Sequence, residues 1–372
     1  MKISSLLVLA LSTLASSKKI FLDNDGLTAL QLLFPLAAGH EVVGISTSFG
    51  SVSNVDGAGE AYDILNIYNL SSCIPHYLGA QQPLLRTYET FQTWETLFGE
   101  LVWQGGFDPS YEDVYSWDNI TYDDTLVGAT ALIEAVKKYK DIDPVVIYAA
   151  GMMTTVAQAI SLYPNLTQEA GGLYIMGGFV DTQYAQATAA RSIEVDIQTD
   201  INLIQDPEAA QIVLSADWKE LLIGGNATNY VLPSQELYDR LIAKAGSYEI
   251  IENTPYYAPI LDIVYTGNFT ANNEQETLPF WDEVVSAYMS YPELLLETSD
   301  VACSVDTAFY SPFYGNLRIY NKEVNLPTAT KTGNASLVDV VDQVKFFGLI
   351  EDILFKNWTQ YCEVGGPVPL LI

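Results

Sequence analysis

Five short apolar runs, each closely followed by glycine or polar residues, constrain the fold of this chain more than any other feature. The runs are Ile20–Leu22, His40–Thr47, Pro144–Ala149, Gly172–Met176 and Leu221–Ile223. Between and after them lie helical patterns at Leu27–Leu36, at Gly57–Tyr68, at Leu126–Tyr139, in the segment that ends at Tyr163, and at Pro207–Ser215. Continuous apolar runs are typical of strands buried on both faces of a sheet, and alternation with helices gives parallel strands. The pattern predicts an α/β fold with an open, mostly parallel, doubly wound sheet and helices on both faces.

The part of the chain after Pro233 has weaker patterns. Ser234–Ala245 and Trp281–Met289 look helical, and the aromatic-rich Tyr310–Ile319 predicts β structure. The 372 residues contain no internal repeat and no low-complexity linker. One α/β domain over residues 18–365, with a C-terminal elaboration, is therefore the economical interpretation, and a domain boundary near Pro233 is the alternative.

Residues 81–124 form a long insert that is rich in tryptophan, tyrosine and acids and has little periodicity. Long irregular segments between core elements are commonly lids or binding loops. Trp94, Trp103 and Trp117 are therefore candidates either for aromatic walls around a ligand or for anchors that hold the insert on the core.

The first 17 residues have the pattern of a secretory signal peptide, with a basic start, an apolar core over Ile3–Leu14 and a small-residue exit. No later stretch approaches the roughly 18 apolar residues of a membrane span. We therefore expect a secreted chain without a membrane anchor. Seven glycosylation sequons fit that route and begin at Asn69, Asn119, Asn165, Asn226, Asn268, Asn334 and Asn357. Asn226 is the exception, since it follows a predicted buried strand and is expected in the cleft.

The net charge of the chain limits the partners it can be expected to bind, and its cysteine content indicates its cellular compartment. Sixteen basic and 46 acidic residues give a net charge of -30, which repels nucleic acid and anionic membrane surfaces. We therefore expect a small-molecule ligand, no nucleic acid and no membrane. Cys73, Cys303 and Cys362 predict one disulfide and one remaining thiol in an oxidising compartment, with the pairing left open.

Two acids stand at the end of the first predicted strand. Asp23 and Asp25 follow the run Ile20–Leu22 and precede Gly26, so they should lie at the carboxyl edge of the sheet, where doubly wound folds bind ligands. Alternate residues of an extended segment point the same way. Both carboxylates can therefore face one cleft as metal ligands or as an acid/base pair, and the alternative is an Asx turn in which Asp25 caps the next helix.

Two families have motifs similar to this segment. Residues 23–28 resemble the first motif of the haloacid dehalogenase-like phosphatases, but those enzymes also need a lysine after a later strand, and none stands in register here. Over Lys18–Asn357 the chain is similar to the inosine-uridine preferring nucleoside hydrolases, and in particular to their secreted fungal branch. The similar segments, in chain order, are Asp23–Asp25, Gly151–Thr155, Met176–Gly178, Thr199–Asn202, Asp206–Ala210 and Phe280–Glu283.

This resemblance implies a hydrolase that cleaves the N-glycosidic bond of ribonucleosides with a water activated by Ca²⁺. Asp25 and Asp282 would be carboxylate ligands of the metal, and Thr154 would offer its main-chain carbonyl. Asp25, with Asp23 beside it, would be catalytic. Asp200, Asn202 and Trp281 would bind the substrate, the first two by contacts to the ribose from an extended segment. The resemblance also suggests a homodimer or homotetramer.

The chain departs from the family pattern at two places. The family's opening motif continues with an adjacent acidic pair, whereas Asp25 is followed by glycine, leucine, threonine and alanine. Activity is therefore expected to be reduced, and a secreted pseudo-enzyme that only binds a ligand is an alternative. Trp281 stands where the family has a histidine that protonates the leaving base. His40 and His76 belong to no matching motif, and we interpret both as structural, His40 in a surface loop.

Overall fold

The computed structural model describes residues 17–99, 101, 104–180, 200–257, 259–260, 279–320, 331–365 and 368–369. Within these residues, the strands are β1 Lys19–Asn24, β2 Glu41–Thr47, β3 His76–Leu78, β4 Val146–Ala150, β5 Gly172–Ile175, β6 Leu221–Ile223, β7 Leu295–Val305, β8 Leu317–Tyr320, β9 Gly333–Val341, β10 Lys356–Asn357 and β11 Val368–Pro369. The predicted signal peptide lies outside the described residues, except for position 17.

The α-helices of the described residues alternate with the first six strands and continue beyond them. They are α1 Ala29–Ala37, α2 Asn54–Ile67, α3 Tyr88–Phe98, α4 Gly128–Tyr139, α5 Thr154–Leu162, α6 Leu166–Glu169, α7 Ile201–Gln205, α8 Pro207–Leu214, α9 Gly225–Asn229, α10 Gln235–Ala245, α11 Tyr248–Glu252, α12 Trp281–Ser290, α13 Gln343–Leu354 and α14 Tyr361–Val364. No helix in the described ranges has the length and apolar character needed to cross a bilayer.

The main sheet has nine strands in the order β3-β2-β1-β4-β5-β6-β9-β7-β8. Its neighbours from β3 to β9 are parallel, and β7 pairs antiparallel with both β9 and β8. The chain places β2 and β3 on one side of β1 and then returns to add β4 on the other side. This reversal opens a crevice between the carboxyl ends of β1 and β4, the position at which open α/β sheets bind ligands.

Helices cover both faces of this sheet, which confirms the predicted doubly wound α/β class. Alternate residues of β1 enter separate apolar clusters, with Ile20 and Leu22 on one face and Phe21 on the other. The first cluster also contains the apolar residues of α1, α12 and α13, and the second contains those of α4, α5 and α8. Because the side chains of a strand alternate between the two faces of the sheet, a continuous apolar run packs against the helices on both faces.

Two predicted segments differ in the structure. Tyr310–Ile319 is not a strand throughout, because turns occupy its first part and β8 begins only at Leu317. Gly315 has a φ of +92°, a conformation that ends extended structure and favours glycine. The insert 81–124 is also more regular than expected, since α3 begins with a capping box in which Thr87 and Thr90 satisfy each other's main-chain N–H groups.

The tryptophans of this insert have different environments. Trp94 is fully buried, and its Nε1 donates to the Ser311 carbonyl at 3.0 Å, which agrees with an anchor on the core. Trp117 is 44% exposed and packs edge-on against Tyr122. Trp103 lies outside the described residues.

The disulfide joins Cys73 to Cys362, which are 289 positions apart. It ties the segment before β3 to α14, and Asn69 Nδ2 adds a hydrogen bond to the Thr359 carbonyl at 2.9 Å. Cys303 lies in β7, where its buried Sγ is 3.9 Å from the Leu214 carbonyl oxygen. The pairing that the sequence left open is therefore resolved.

Candidate active site

The acids Asp23 and Asp25 lie at the crevice beside the carboxyl end of β1. Asp23 pairs in register with Ser46 of β2 and Ala149 of β4. Both acids are buried, with exposed fractions of 1% and 2%. The structure therefore brings the two carboxylates to the edge of the sheet at which the sequence predicts a site.

Asp25 is held by the loops that follow the two neighbouring strands. Its Oδ2 accepts the Ser51 N–H at 2.7 Å in the loop after β2. A Cβ added to Gly50 would lie 1.9 Å from Asp25 Oδ2, and one added to Gly151, directly after β4, would lie 2.8 Å from Asp25 Cγ. Real Cβ contacts are never that short, so both loops can approach the carboxylate only because these positions are glycine.

Burial raises the pKa of both carboxyl groups. The pKa of Asp25 is raised to about 7 by desolvation, which the hydrogen bonds from Ser51 only partly oppose. The pKa of Asp23 is likewise raised to about 7 by burial, against a hydrogen bond from Ser46 Oγ at 2.5 Å and with a smaller contribution from the Asp25 charge. Groups that exchange protons near neutrality are suited to acid/base work.

Asp282 faces the same group of acids from the first turn of α12. Its Oδ2 accepts from Asn24 Nδ2 at 3.3 Å and from Gln31 Nε2 at 3.1 Å, and the two amides are joined by a 2.6 Å bond. The pKa of Asp282 is raised well above its usual range by desolvation first, then by the charges of Glu283 and Asp25. The amide of Asn24, the residue between Asp23 and Asp25, thus links Asp282 to this strand end, and a metal ion shared by Asp25 and Asp282 stays a prediction.

Thr154 is the first residue of α5, and its side chain points to another carboxylate. Its Oγ1 donates to Asp206 Oδ2 at 2.6 Å, and the Leu84 N–H reaches the same oxygen at 2.8 Å. Asp206 also caps α8 through the Ala209 N–H at 3.0 Å. Asp206 is therefore the N-cap of α8, and the same side chain joins the insert to the start of α5.

Asp200 and Asn202 do not belong to an extended segment, and that prediction is wrong. Asp200 is the N-cap of α7, and its Oδ1 accepts the Leu203 N–H at 2.9 Å while Oδ2 accepts the Gly178 N–H at 2.5 Å. Asn202 Nδ2 donates to the Met176 carbonyl at 3.1 Å. An aspartate ahead of an apolar helical turn is a good N-cap, which explains the helix. Both side chains are buried against the turn that follows β5.

Burial also raises the pKa of the Asp200 carboxyl group, to about 6, against four backbone hydrogen bonds that lower it. The partner N–H groups belong to the Gly178 turn and to α7 itself. Asp200 therefore keeps α7 against the carboxyl end of β5, in the row of strand ends that also carries Asp23 and Asp25.

Trp281 and Asn226 lie in elements that follow β6. Trp281 Nε1 donates to Asn229 Oδ1 at 2.8 Å, so the partly buried indole has a fixed orientation. Asn226 Oδ1 accepts the Val180 N–H at 2.7 Å, beyond the Gly178 turn. This internal bond agrees with the expectation that the Asn226 sequon differs from a surface one.

The two histidines have local structural partners. His76 Nε2 is 2.9 Å from Thr47 Oγ1, and desolvation lowers the pKa of His76 to about 4. His40 Nδ1 accepts the Lys18 N–H at 3.3 Å. His40 is only 2% exposed, so its predicted surface location is wrong, because the turn after α1 packs it against the start of β1.

Comparisons with known proteins decide the family. The model of the inosine-uridine preferring nucleoside hydrolases matches residues 20–348. The chain belongs to this family. An uncharacterised protein of Schizosaccharomyces pombe, C800.11, is 39% identical over 352 residues, which are 94% of this chain and 89% of the relative.

More distant relatives agree with this family assignment. A probable uridine nucleosidase 2 of Arabidopsis thaliana is 27% identical, over 57% of this chain and 62% of its own. The solved structure of an inosine-guanosine nucleoside hydrolase has a TM-score of 0.67 at 20% identity, and covers 91% of this chain and 98% of its own. At that identity the structural likeness shows the fold. The family assignment replaces the phosphatase hypothesis.

The acids just described are the carboxylates of this site that could hold a metal ion. The described residues contain no arrangement of three or more His, Cys, Asp or Glu that is ready to hold a metal. The donor chemistry nevertheless fits a hard cation. Asp25 is buried, and the charges that raise the pKa values of Asp23 and Asp282 are those of other acids. A cation with a preference for oxygen ligands would relieve this repulsion between carboxylates. Carboxylates, main-chain carbonyls and water are the oxygen ligands that Ca²⁺ prefers.

Several site residues were not predicted from the sequence. Asn24 and Gln31 bind Asp282, and Ser51 binds Asp25. Asn24 and Gln31 are separated by 7 positions, and neither residue type signals a site by itself. The position of Asn24 between the two acids was the available signal, since a polar residue that points into the sheet needs a buried partner.

Proposed function

We propose that this nucleoside hydrolase cleaves the N-glycosidic bond of ribonucleosides to ribose and free base. The observation that carries the proposal is the buried Asp25 carboxyl at the crevice of a chain that the family model matches over residues 20–348. In its ionised form it accepts the proton of the attacking water. Asp23, bonded to Ser46, lies beside it and keeps a second carboxyl group at the same strand end.

We assign binding of the ribose to Asp200 and Asn202, which lie at the carboxyl end of β5. Asp200 is fixed by main-chain N–H groups and Asn202 by the Met176 carbonyl. Side chains held in this way place hydrogen-bonding atoms without a further entropic cost on binding. A carboxylate near the sugar also stabilises the positive charge that develops at C1′.

A calcium ion is the proposed cofactor. Asp25, Asp282 and the Thr154 carbonyl would hold it, and when bound it would lower the pKa of a water and fix sugar hydroxyls. Asn24 and Gln31 orient Asp282 for that task through their amide donors. The first turn of α1 has no acidic residue, so the acidic pair that follows this motif in the family is missing here. For that reason we propose reduced activity relative to the family.

The leaving base receives no proton from Trp281. Indole has an N–H donor that does not ionise near neutrality, and here it is used by Asn229. The ring face remains suitable for stacking on a nucleobase. We therefore assign Trp281 to base binding rather than to acid catalysis.

We further propose a secreted, N-glycosylated protein of the fungal branch that forms a dimer or tetramer. The leader-like first 17 residues, the sequons and the Cys73–Cys362 bridge support the compartment, since disulfides persist in oxidising environments. The S. pombe relative supports the branch. The missing acidic pair favours one second candidate, a pseudo-enzyme that binds nucleosides without cleaving them.

A nucleoside panel tests the proposal. The purified secreted protein is incubated with inosine, uridine, guanosine and cytidine, with Ca²⁺ or with a chelator, and free base is measured by chromatography. Calcium-dependent release of base that Asp25→Asn abolishes supports the proposal. Tight nucleoside binding without base release in any condition would instead establish the pseudo-enzyme.

A further inference from the structure

Arg86 is a buried cation in the insert, between β3 and α3, and only 3% of it is exposed. Its guanidinium carbon lies 4.5 Å from the ring centroid of Phe91, 4.8 Å from that of Tyr314 and 5.5 Å from that of Trp94. The Tyr314 ring is itself fixed, because its hydroxyl donates to both carboxylate oxygens of Glu208 at 2.9 Å. A planar guanidinium stacks on aromatic faces, so these rings set the direction in which Arg86 can donate.

The guanidinium donates to the carboxyl end of α7. Arg86 Nη1 binds the main-chain carbonyl of Ile204, across 118 positions of sequence. The last carbonyl groups of a helix have no partner within the helix, and a cation there also interacts favourably with the helix dipole. The Nε and Nη2 atoms of Arg86 have no hydrogen-bond partner within the described ranges. Among these residues, α7 is therefore the element to which the guanidinium is hydrogen-bonded.

The position of α7 depends on contacts at both of its ends. The helix has five residues, and a helix of this length is not stable by itself. Its start is fixed by Asp200, which accepts the Gly178 N–H. Its end is fixed by the insert, since Arg86 binds the last turn and the Leu84 N–H donates at 2.8 Å to Asp206, the residue at which α7 ends. The insert therefore determines where the carboxyl end of α7 lies.

We infer that Arg86 is a positioning residue for ribose binding, because it holds the end of the helix whose start carries Asp200 and Asn202. The inference rests on the proposed function and extends it to the insert. Asn202 lies two residues before Ile204, so a shift of the Ile204 carbonyl also moves the Asn202 amide away from its 3.1 Å bond to the Met176 carbonyl. A misplacement of about 1 Å by a distant residue can cost on the order of 100-fold in rate.

Arg86→Lys keeps the charge and removes the planar group that stacks and donates in a fixed direction. We expect kcat/KM for inosine to fall about 10- to 100-fold. An analogue that lacks a hydroxyl bound by Asp200 or Asn202 should lose less. The preference for inosine over at least one of 2′-, 3′- and 5′-deoxyinosine should therefore fall by about 10-fold. The matched control is Arg240→Lys in α10, a partly exposed arginine paired with acids, which should leave this preference unchanged.

A double-mutant cycle separates positioning from a merely structural role. If Arg86 acts through α7, Arg86→Lys should lower kcat/KM by a smaller factor in the Asn202→Ala background, whereas independent effects multiply. Arg86→Ala provides a second variant, in which millimolar guanidinium chloride can occupy the space between Phe91 and Tyr314. We expect guanidinium to restore part of the lost kcat/KM and of the preference for inosine, and an equal concentration of sodium chloride to restore neither.

The outcomes distinguish this inference from the proposed function. Base release by the wild type, with an unchanged preference for inosine in Arg86→Lys, would overturn the inference and leave the proposed function in place. If the wild type binds inosine without cleaving it, the same preference is obtained from the Kd values of inosine and its deoxy analogues. Neither binding nor release by the wild type would overturn both. Loss of a cooperative thermal melt in both Arg86 variants would identify Arg86 as a residue of the core alone, against the inference.

Discussion

Replacing Gly50 by alanine is expected to displace the Asp25 carboxylate without changing any acid. The new Cβ would stand 1.9 Å from Asp25 Oδ2, whereas ordinary contact begins at 3.4 Å. The two groups must therefore separate by roughly 1.5 Å. Gly151 also approaches Asp25 closely, since a Cβ added there would lie 2.8 Å from Asp25 Cγ.

The expected magnitudes follow from that displacement. Misplacing a catalytic group by about 1 Å costs on the order of 100-fold in rate, which is about 2.7 kcal/mol of activation free energy. Overpacking a closed site costs about 1 to 3 kcal/mol of stability, part of it through the weakened bond from the Ser51 N–H. Gly50→Ala should thus lower kcat/KM at least about 100-fold while the protein remains folded.

Gly57→Ala is the matched control. Gly57 lies inside α2, and the nearest atom to an added Cβ there is the Asp25 carbonyl oxygen at 3.6 Å, an ordinary contact. Alanine in a helix should stabilise the protein by up to about 1 kcal/mol and leave kcat/KM unchanged. Base release gives kcat/KM, and thermal melts give stability. Wild-type kcat/KM in Gly50→Ala would refute the claim that the position of Asp25 governs the reaction.

Three further outcomes are expected. In chelator the free energy of unfolding should fall from pH 5 to pH 8, and Asp25 should contribute about 2 to 3 kcal/mol of this fall, because the folded state keeps its proton up to about pH 7 and the unfolded state releases it near pH 4. Urea melts of Asp25→Asn should show a fall that is smaller by this amount, since Asp23 and Asp282 also have raised pKa values. Hydrolysis of p-nitrophenyl riboside should exceed that of inosine by far more than binding explains, and comparable kcat/KM values would show that some residue other than Trp281 protonates the base. Replacing Cys73 and Cys362 by serine should cost about 2 to 5 kcal/mol of stability, measured by denaturant melts, with no change in KM.

The parallel half of the sheet could be predicted because each of its strands carries its own local signal. Leu221–Ile223 is a strand with the predicted ends, and α8 ends one residue before the predicted Ser215. The antiparallel half could not. The first part of β7 is exposed, and its residues pair with residues of β9 that are 30 to 46 positions away in sequence. No apolar run or turn signal in the sequence therefore indicated this strand.

The failure at Tyr310–Ile319 has a related cause. Aromatic residues favour strands in general, but Tyr314 is buried in a cluster with Phe91 and Trp94 of the insert. Its packing is therefore decided by a helix more than 200 positions away, as the Trp94 bond to the Ser311 carbonyl shows. The error at Asp200 was avoidable, since an aspartate before an apolar turn carries a capping signal within the sequence.

The acids of the site could be placed at the sheet edge from sequence, but their state could not. Whether a carboxyl at a strand end has a pKa near 4 or near 7 depends on how closely other segments cover it. For Asp25 the cover comes from Gly50 and Gly151, and each glycine stands in the segment that leaves a strand beside β1. A side chain at either position would collide with Asp25, so the loop could not cover the carboxyl at this distance. The glycines after β2 and β4 are therefore as necessary to the proposed chemistry as the acid itself, although neither can bind a substrate or a metal through a side chain.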